Sequence, residues 1–259
     1  MGGSIRVERN GPVATVVIDN PAKRNAMDQA MWIAMGDALL ALQEEPQVRC
    51  LVLRGAGTEA FGSGADIDEF EKLRATKAQA IAFGKHGHRA MHAVRDCPIP
   101  TVAAIRGVCV GGGLELAIGC DIRLASDDAK FGVPIARLGG VLAYPELEGL
   151  VRVAGPQVAL ELLLEGRVIG AAEARAKGVV SRVVPASEFD GELERTVARI
   201  TAGAPLSARW HKKFVRRLQE ARALTASELE EGYACFDTED FTEGWRSFQA
   251  KRPPVFKGR

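Results

Sequence analysis

Three glycines lead straight into a carboxylate in the segment Gly111-Gly112-Gly113-Leu114-Glu115. A strand-like segment precedes these residues, and the residues after them have the apolar character of a buried helix. Glycine has no Cβ atom, so a ligand can approach the backbone closely at such a position. The first N–H groups of a helix have no partner inside the helix and are free to donate to that ligand. The segment therefore predicts a strand-to-helix turn that presents backbone donors.

The carboxyl group of Glu115 adds acid–base chemistry to those donors. Glu115 stands three residues after Gly112, about one helical turn further on. An amide donor beside an acid or base suits the stabilisation of a developing oxyanion while a proton moves nearby. Its apolar neighbours would raise the pKa of an unpaired carboxyl group, which suits proton transfer near neutral pH. The alternative is a structural carboxylate that pairs with an arginine.

The bulk composition limits the class of protein. The chain has 259 residues, of which 47% are apolar, enough for one large domain or for a domain with a small appendage. A formal net charge of +1 argues against a nucleic-acid partner or a polybasic membrane-binding surface. No apolar run approaches the roughly 20 residues of a membrane span.

The cysteines and the N-terminus predict a cytoplasmic location. The N-terminus lacks the apolar region of a signal peptide. Five cysteines form no C-x-x-C pair and no compact framework, as is typical of thiols in a reducing compartment. They are Cys50, Cys97, Cys109, Cys120 and Cys235.

The pattern of strands and helices predicts an α/β core followed by a helical region. Two β-branched segments flank Asn10-Gly11, as in a β-hairpin. Helix-like and strand-like segments then alternate as far as Val184, which is typical of an α/β layer. The composition changes after Pro185, and residues 188–248 are predicted to be helical apart from a break at Pro205.

The order of several short motifs resembles the crotonase superfamily, the enoyl-CoA hydratase/isomerase group. Each motif is weak alone, but their order and spacing are specific, and the resemblance covers essentially the whole chain. The motifs are Phe61-Gly62-Ser63-Gly64-Ala65-Asp66-Ile67, Ile99-Pro100-Thr101-Val102-Ala103-Ala104, Gly111-Gly112-Gly113-Leu114-Glu115-Leu116-Ala117 and Cys120-Asp121-Ile122-Arg123-Leu124-Ala125.

The resemblance implies a fold, a ligand and an assembly. The fold would be a spiral of ββα turns over residues 1–185, which binds acyl-CoA, and a helical trimerisation region over residues 186–259. The ligand would be an acyl-CoA thioester, with coenzyme A as part of the substrate and no metal or redox cofactor. The assembly would be a homotrimer or a dimer of trimers.

The resemblance also implies roles for individual residues. The backbone amides of Ala65 and Gly112 would form the oxyanion hole, and Glu115 would be the first of two hydratase glutamates. The segments that contact coenzyme A map onto Lys23, Arg24, Ala26, Ala65, Asp66, Ile67 and Gly112.

The second hydratase glutamate is missing. Ile135 stands at that position, directly after Phe131-Gly132-Val133-Pro134. Glu146, eleven residues further on, is the candidate for a replacement carboxylate. Its alternative role is purely structural, because the first turn of a helix favours acidic residues and Pro145 precedes it. Glu148 is a weaker competitor.

The histidines do not predict a metal site. His88 and His92 lie four residues apart and share a helix face, but no third ligand is evident. We interpret them as structural residues of the helix.

The sequence thus predicts an enzyme that stabilises a thioester enolate. The nearest named reaction is the addition or removal of water across the 2,3 double bond of an enoyl-CoA. Because Ile135 replaces a carboxylate, isomerisation, decarboxylation or C–C cleavage of an unusual acyl-CoA stays open. A CoA-thioester-binding protein with little catalysis is the alternative from another class.

Overall fold

The computed structural model describes residues 2–259, which form two β-sheets with helices packed around them. The large sheet has six strands, in the spatial order in which they occur along the chain. They are β1 (Ser4–Asn10), β2 (Val13–Asp19), β3 (Cys50–Gly55), β5 (Thr101–Ile105), β7 (Ile122–Ser126) and β10 (Arg182–Val184). The small sheet consists of β4 (Ala60–Gly62), β6 (Val108–Val110), β8 (Lys130–Gly132) and β9 (Ile169–Gly170).

Ten α-helices connect and cover the sheets in the described part of the chain. The first five are α1 (Gln29–Gln43), α2 (Phe70–Leu73), α3 (Lys77–Arg95), α4 (Gly112–Gly119) and α5 (Tyr144–Glu165). The others are α6 (Ala171–Ala176), α7 (Phe189–Thr201), α8 (Pro205–Arg217), α9 (Ala226–Glu231) and α10 (Glu239–Gln249). Among residues 2–259, none of these helices has both the length and the apolar character that a membrane crossing requires.

The predicted spiral of ββα turns is confirmed. After the β1–β2 hairpin, each turn contributes one strand to the large sheet, one short strand to the small sheet and then helix. The pairs are β3 with β4, β5 with β6, and β7 with β8. All neighbours in the large sheet beyond the hairpin are parallel. Such strands are buried on both faces, which explains why Thr101–Ile105 is buried throughout.

The C-terminal helices pack against the α/β core. Phe189 of α7 is buried against the apolar side chains of β3, β5 and β7. On α8, the Lys212 ammonium donates to the Ile99 carbonyl at 2.6 Å and lies 2.5 Å from Asp121. The predicted helical character of residues 188–248 needs correction, because residues 218–225 and 232–238 are not α-helical. Residues 218–225 are mostly good helix formers, so propensity does not explain their break. The Arg217 guanidinium instead donates to the carbonyls of Arg222 and Ala223, and Thr225 caps the next helix. The domain boundary at residue 185 stays a prediction.

A backbone contact fixes the turn that carries the glycines. Gly111 adopts φ 51°, the left-handed region that favours glycine, and caps α4. A Cβ atom on Gly113 would lie 2.2 Å from the carbonyl oxygen of Gly62, which is backbone and cannot rotate away. This contact joins the start of α4 to β4 and to the loop that follows it.

We expect Gly113→Ala to destabilise the protein by about 3 kcal/mol or more, because the new methyl group must displace backbone. Gly244→Ala is the matched control, since the nearest atom to its Cβ is a Phe256 ring carbon at 3.6 Å. This residue lies inside α10, where alanine favours the helix by up to about 1 kcal/mol over glycine. Urea denaturation measures both effects. Equal stability of the two variants would contradict the proposed contact.

Candidate active site

A cavity of about 160 Å³ lies beside the N-terminus of α4. Its walls come from α1, the loop after β4, α2, α3, the start of α4 and the segment that leads to α5. The lining includes Trp32, Ala65, Ile67, Phe70, Arg74, Phe83, Gly112, Glu115, Ile135 and Glu146. The lining therefore contains four residues that the sequence predicts to be catalytic, namely Ala65, Gly112, Glu115 and Glu146.

Two backbone amides without partners lie on adjoining segments at the start of α4. The segment around Ala65 pairs with Met27, whose N–H donates to Gly64 and whose carbonyl accepts from Asp66. This pairing leaves the Ala65 N–H without an acceptor among residues 2–259. The Gly112 N–H, at the first position of α4, likewise has none there. A Cβ atom on Gly64 would lie 2.9 Å from the Gly112 nitrogen, so the two segments are in contact.

The side chain of Glu115 lines the cavity from the first turn of α4. Its carboxyl group forms no hydrogen bond with any of residues 2–259. Burial raises the pKa of this carboxyl group to about 8, and the negative charge of Glu146 adds to the increase, while the positive charge of Arg74 opposes it. Glu115 is therefore mainly protonated at neutral pH and is able to give up a proton.

Glu146 lies in the first turn of α5 and faces the same cavity. One carboxylate oxygen accepts a hydrogen bond from the Ala143 N–H at 2.6 Å, and the other lies 3.2 Å from Nε2 of His88. The helix-capping role that the sequence suggests is thus present, together with exposure to the cavity. Ile135, at the position of the missing glutamate, contributes an apolar wall.

The residues that were assigned to coenzyme A fall into two groups. Ala65, Ile67 and Gly112 line the cavity, whereas Lys23, Arg24, Ala26 and Asp66 lie outside its lining. The Lys23 ammonium is held by Asp66 at 2.6 Å and by Asp68 at 2.7 Å, and these carboxylates raise its pKa.

The backbone of this outer group is unusual. Arg24 and its neighbour Asn25 adopt φ values of 52° and 57°. Two consecutive residues in the left-handed region store strain that is common at ligand-binding loops. Ala26 is buried beside them.

The sequence does not predict a role in this site for three residues, two of which line the cavity while the third contacts a lining residue. Arg74 and Trp32 line the cavity, and His88 holds Glu146 from α3. The spacing of His88 and His92 indicates that they share a helix face, but it does not predict the contact of His88 with Glu146. Trp32 is almost fully buried, its indole N–H has no acceptor among residues 2–259, and its ring packs against Gly112. A buried indole N–H usually has a hydrogen-bond partner. The sequence shows only a tryptophan on an apolar helix face, and this pattern does not predict a place in the cavity wall.

Comparisons with known proteins agree with this fold. A model of the enoyl-CoA hydratase/isomerase family matches residues 8–259. The Mycobacterium bovis protein named "Probable enoyl-CoA hydratase echA8" is 36% identical over 99% of this chain and 98% of its own length. The "Carnitinyl-CoA dehydratase" of Salmonella enteritidis is 32% identical over the full length of both chains.

A solved structure agrees equally well. The crystal structure of an enoyl-CoA hydratase/carnithine racemase from Magnetospirillum magneticum superposes with a TM-score of 0.97. It is 48% identical and covers 98% of this chain and 96% of its own. The chain therefore belongs to the enoyl-CoA hydratase/isomerase family, within the crotonase superfamily.

The raised pKa of Glu115 predicts a pH-dependent stability. The folded state binds the Glu115 proton more tightly than the unfolded chain does, so stability falls as the pH rises from 4.5 towards about 8. Each tenfold difference in proton affinity between the two states corresponds to about 1.4 kcal/mol. At a pH above the folded-state pKa of Glu115, the free energy of unfolding is therefore lower by at most roughly 5 kcal/mol.

We therefore expect Glu115→Gln to stabilise the protein relative to the wild type by an amount that grows between about pH 5 and about pH 9. Urea denaturation across this range measures it. Glu148→Gln is the control, since Glu148 pairs with Arg95 at a position outside the cavity. A difference between Glu115→Gln and wild type that stays constant with pH would refute the raised pKa.

Proposed function

We propose that this protein hydrates a short 2-enoyl-CoA, or dehydrates the corresponding 3-hydroxyacyl-CoA. The observation that carries the proposal is that two carboxyl groups, of Glu115 and Glu146, face one cavity together with the free amides of Ala65 and Gly112. The sequences and structures that resemble this chain support the same substrate class, because their names include enoyl-CoA hydratase and carnitinyl-CoA dehydratase. Coenzyme A would enter as part of the substrate.

The two free amides would stabilise the charge that develops on the thioester oxygen. When water adds to C3 of the enoyl group, negative charge moves to this oxygen and an enolate forms. The N–H groups of Ala65 and Gly112 are fixed by the Met27 pairing and by α4, so they need no reorganisation as the charge develops. Losing one donor of this kind costs about 3–4 kcal/mol in known enzymes.

The electrostatic difference between the carboxyl groups suggests their roles. Glu115 has a pKa of about 8, so at neutral pH it holds the proton that C2 of the enolate requires. Glu146, whose negative charge contributes to that pKa, would accept the proton that water loses as its oxygen bonds to C3. After one turnover the proton has moved from Glu115 to Glu146, and exchange with solvent restores both groups. The dehydration reaction runs through the same steps in reverse.

The contacts of Glu146 would keep it aimed at the substrate. The Ala143 N–H and the His88 ring each bind one carboxylate oxygen, on opposite sides of the group. Each oxygen keeps a second lone pair for a water molecule. Glu146 would therefore supply the second carboxylate, which is missing at position 135.

The predicted contacts with coenzyme A stay part of the proposal. Lys23, Arg24, Ala26 and Asp66 lie close to the Met27–Ala65 pairing, whose Ala65 lines the cavity. The strained Arg24 backbone and the exposed Lys23 side chain are suited to the phosphate groups and the adenine of the carrier.

Turnover of crotonyl-CoA and of longer enoyl-CoAs tests the reaction directly, through the loss of the enoyl-thioester absorbance. We expect Glu115→Gln and Glu146→Gln each to reduce kcat by about 100-fold or more, because each removes one proton-transfer group. Glu148→Gln is the matched control in the next turn of α5, and its kcat should stay within about twofold of the wild type.

Different outcomes of this experiment contradict different parts of the proposed mechanism. A wild-type protein that binds acyl-CoAs without turning any of them over is a binding protein, and the hydratase proposal fails. If Glu115→Gln alone abolishes turnover and Glu146→Gln leaves kcat unchanged, Glu146 has only its helix-capping role.

We also propose that the C-terminal helices form an oligomer interface. Large apolar side chains on this region are each more than half exposed in the single chain, which is unfavourable in water. They are Val215, Leu218, Leu229, Tyr233, Phe236 and Phe248.

Sedimentation velocity over a concentration series tests the assembly. We expect a trimer of about 83 kDa, three times the 27.7 kDa of the chain, or a dimer of such trimers. A species of the monomer mass at every concentration would contradict the interface.

A further inference from the structure

Arg74 is the one cationic side chain in the cavity lining, as far as residues 2–259 are concerned. Its guanidinium carbon lies 4.6 Å from the centre of the Phe70 ring and 5.2 Å from the centre of the Phe83 ring. The two rings hold the guanidinium by cation–π attraction. The N–H groups of this guanidinium have no hydrogen-bond acceptor among residues 2–259, so they are free to bind a ligand.

No carboxylate of residues 2–259 pairs with Arg74. Some arginines of this protein do pair with carboxylates: Arg217 binds Glu228 at 2.6 Å, and Arg95 binds Glu148 at 2.9 Å. A guanidinium carries five N–H donors and stays charged at any accessible pH. Holding such a group unpaired in a partly apolar cavity is unfavourable.

Arg74 lines the same cavity as Gly112 and Glu115, where the proposed function puts the reacting end of the acyl group. Its charge acts on Glu115, whose carboxyl group it helps to ionise. Apolar side chains such as Met91, Val133 and Leu142 provide the rest of the nearby wall. The volume of about 160 Å³ is below the roughly 300–1,000 Å³ of common ligand pockets, which favours a short acyl chain.

We propose that Arg74 binds a carboxylate at the far end of the acyl group, so that the substrate is a short 2-enoyl-CoA bearing a second, anionic carboxyl group. This inference rests on the proposed function in one respect: the thioester end must lie at Ala65 and Gly112. Arginine matches a carboxylate with two parallel hydrogen bonds, and removal of water from the cavity strengthens them. The aromatic clamp fixes the guanidinium before the substrate arrives, which lowers the entropic cost of binding.

Two other roles for Arg74 lead to different measurements. If it binds a phosphate group of coenzyme A, its loss weakens the binding of free coenzyme A and of every acyl-CoA alike. If it serves only to adjust Glu115, its loss shifts the pH dependence of turnover equally for all substrates and leaves binding selectivity unchanged.

Calorimetric binding of saturated acyl-CoAs separates these roles without any turnover. The matched probes are 4-carboxybutanoyl-CoA and its amide, 4-carbamoylbutanoyl-CoA, which differ only in the charged group, with free coenzyme A as a third ligand. We expect the wild type to prefer the carboxylate by about tenfold or more, the lower range for a charged hydrogen-bonded pair. Arg74→Gln should remove this preference and leave the Kd of the amide and of coenzyme A within about threefold.

Two further variants sharpen the test. Arg74→Lys keeps the charge but not the planar pair of donors, so it should retain only part of the preference. Arg137→Gln removes an exposed arginine outside the lining and should leave all three affinities unchanged. No preference in the wild type, or an equal loss of affinity for all three ligands in Arg74→Gln, would overturn the proposal.

A kinetic comparison links the binding preference to the reaction. The substrates are 4-carboxybut-2-enoyl-CoA and 4-carbamoylbut-2-enoyl-CoA, and any effect of Arg74 through Glu115 is common to both. We therefore expect Arg74→Gln to lower kcat/KM for the first about 100-fold more than for the second. Selective binding without turnover of either compound would retain the Arg74 inference and reject hydration. Turnover of both without any selectivity would retain hydration and reject the role of Arg74.

Discussion

The backbone contact between Gly113 and the Gly62 carbonyl is the constraint on which the site depends. It presses the start of α4 against the end of β4, so that the loop carrying Ala65 meets the first turn of the helix. The two free amides acquire their relative position from this contact and from the Met27 pairing. The carboxyl group of Glu115 is carried into the cavity by the same helix, one turn further on.

Electrostatics in the cavity follows from the same arrangement. A helix buried by this contact places Glu115 where water solvates it poorly, and no neighbouring side chain compensates by a hydrogen bond. Glu146 and Arg74 then act on it with opposite signs. The cavity thus contains two carboxyl groups and one cation. An anionic ligand bound to Arg74 would partly cancel its positive charge and so reduce its effect on the ionisation of Glu115. Binding and proton transfer are coupled through this one guanidinium.

Local sequence predicts the parts of the structure that depend on neighbouring residues. The hairpin around Asn10-Gly11 and the glycine turn before Glu115 are both confirmed as structure, because turn geometry and helix starts are set within a few residues. The strands β4 and β8 have only three residues each, which is too few to show a period, so the local sequence does not predict them. The contact of His88 with Glu146 joins residues 58 apart, and that of Arg74 with Phe83 depends on how α2 turns back on α3. Such pairs exist only after the chain has folded.

The packing of Trp32 beneath Gly112 has a consequence for how this site can diverge. A Cβ atom at position 112 would lie 2.8 Å from the edge of the indole ring, so any larger residue there requires a smaller one at position 32. The constraint acts in one direction, because a smaller residue at position 32 makes no demand on position 112. A descendant of this chain that keeps Trp32 is therefore held to glycine at position 112, and keeps the backbone geometry of that amide with it.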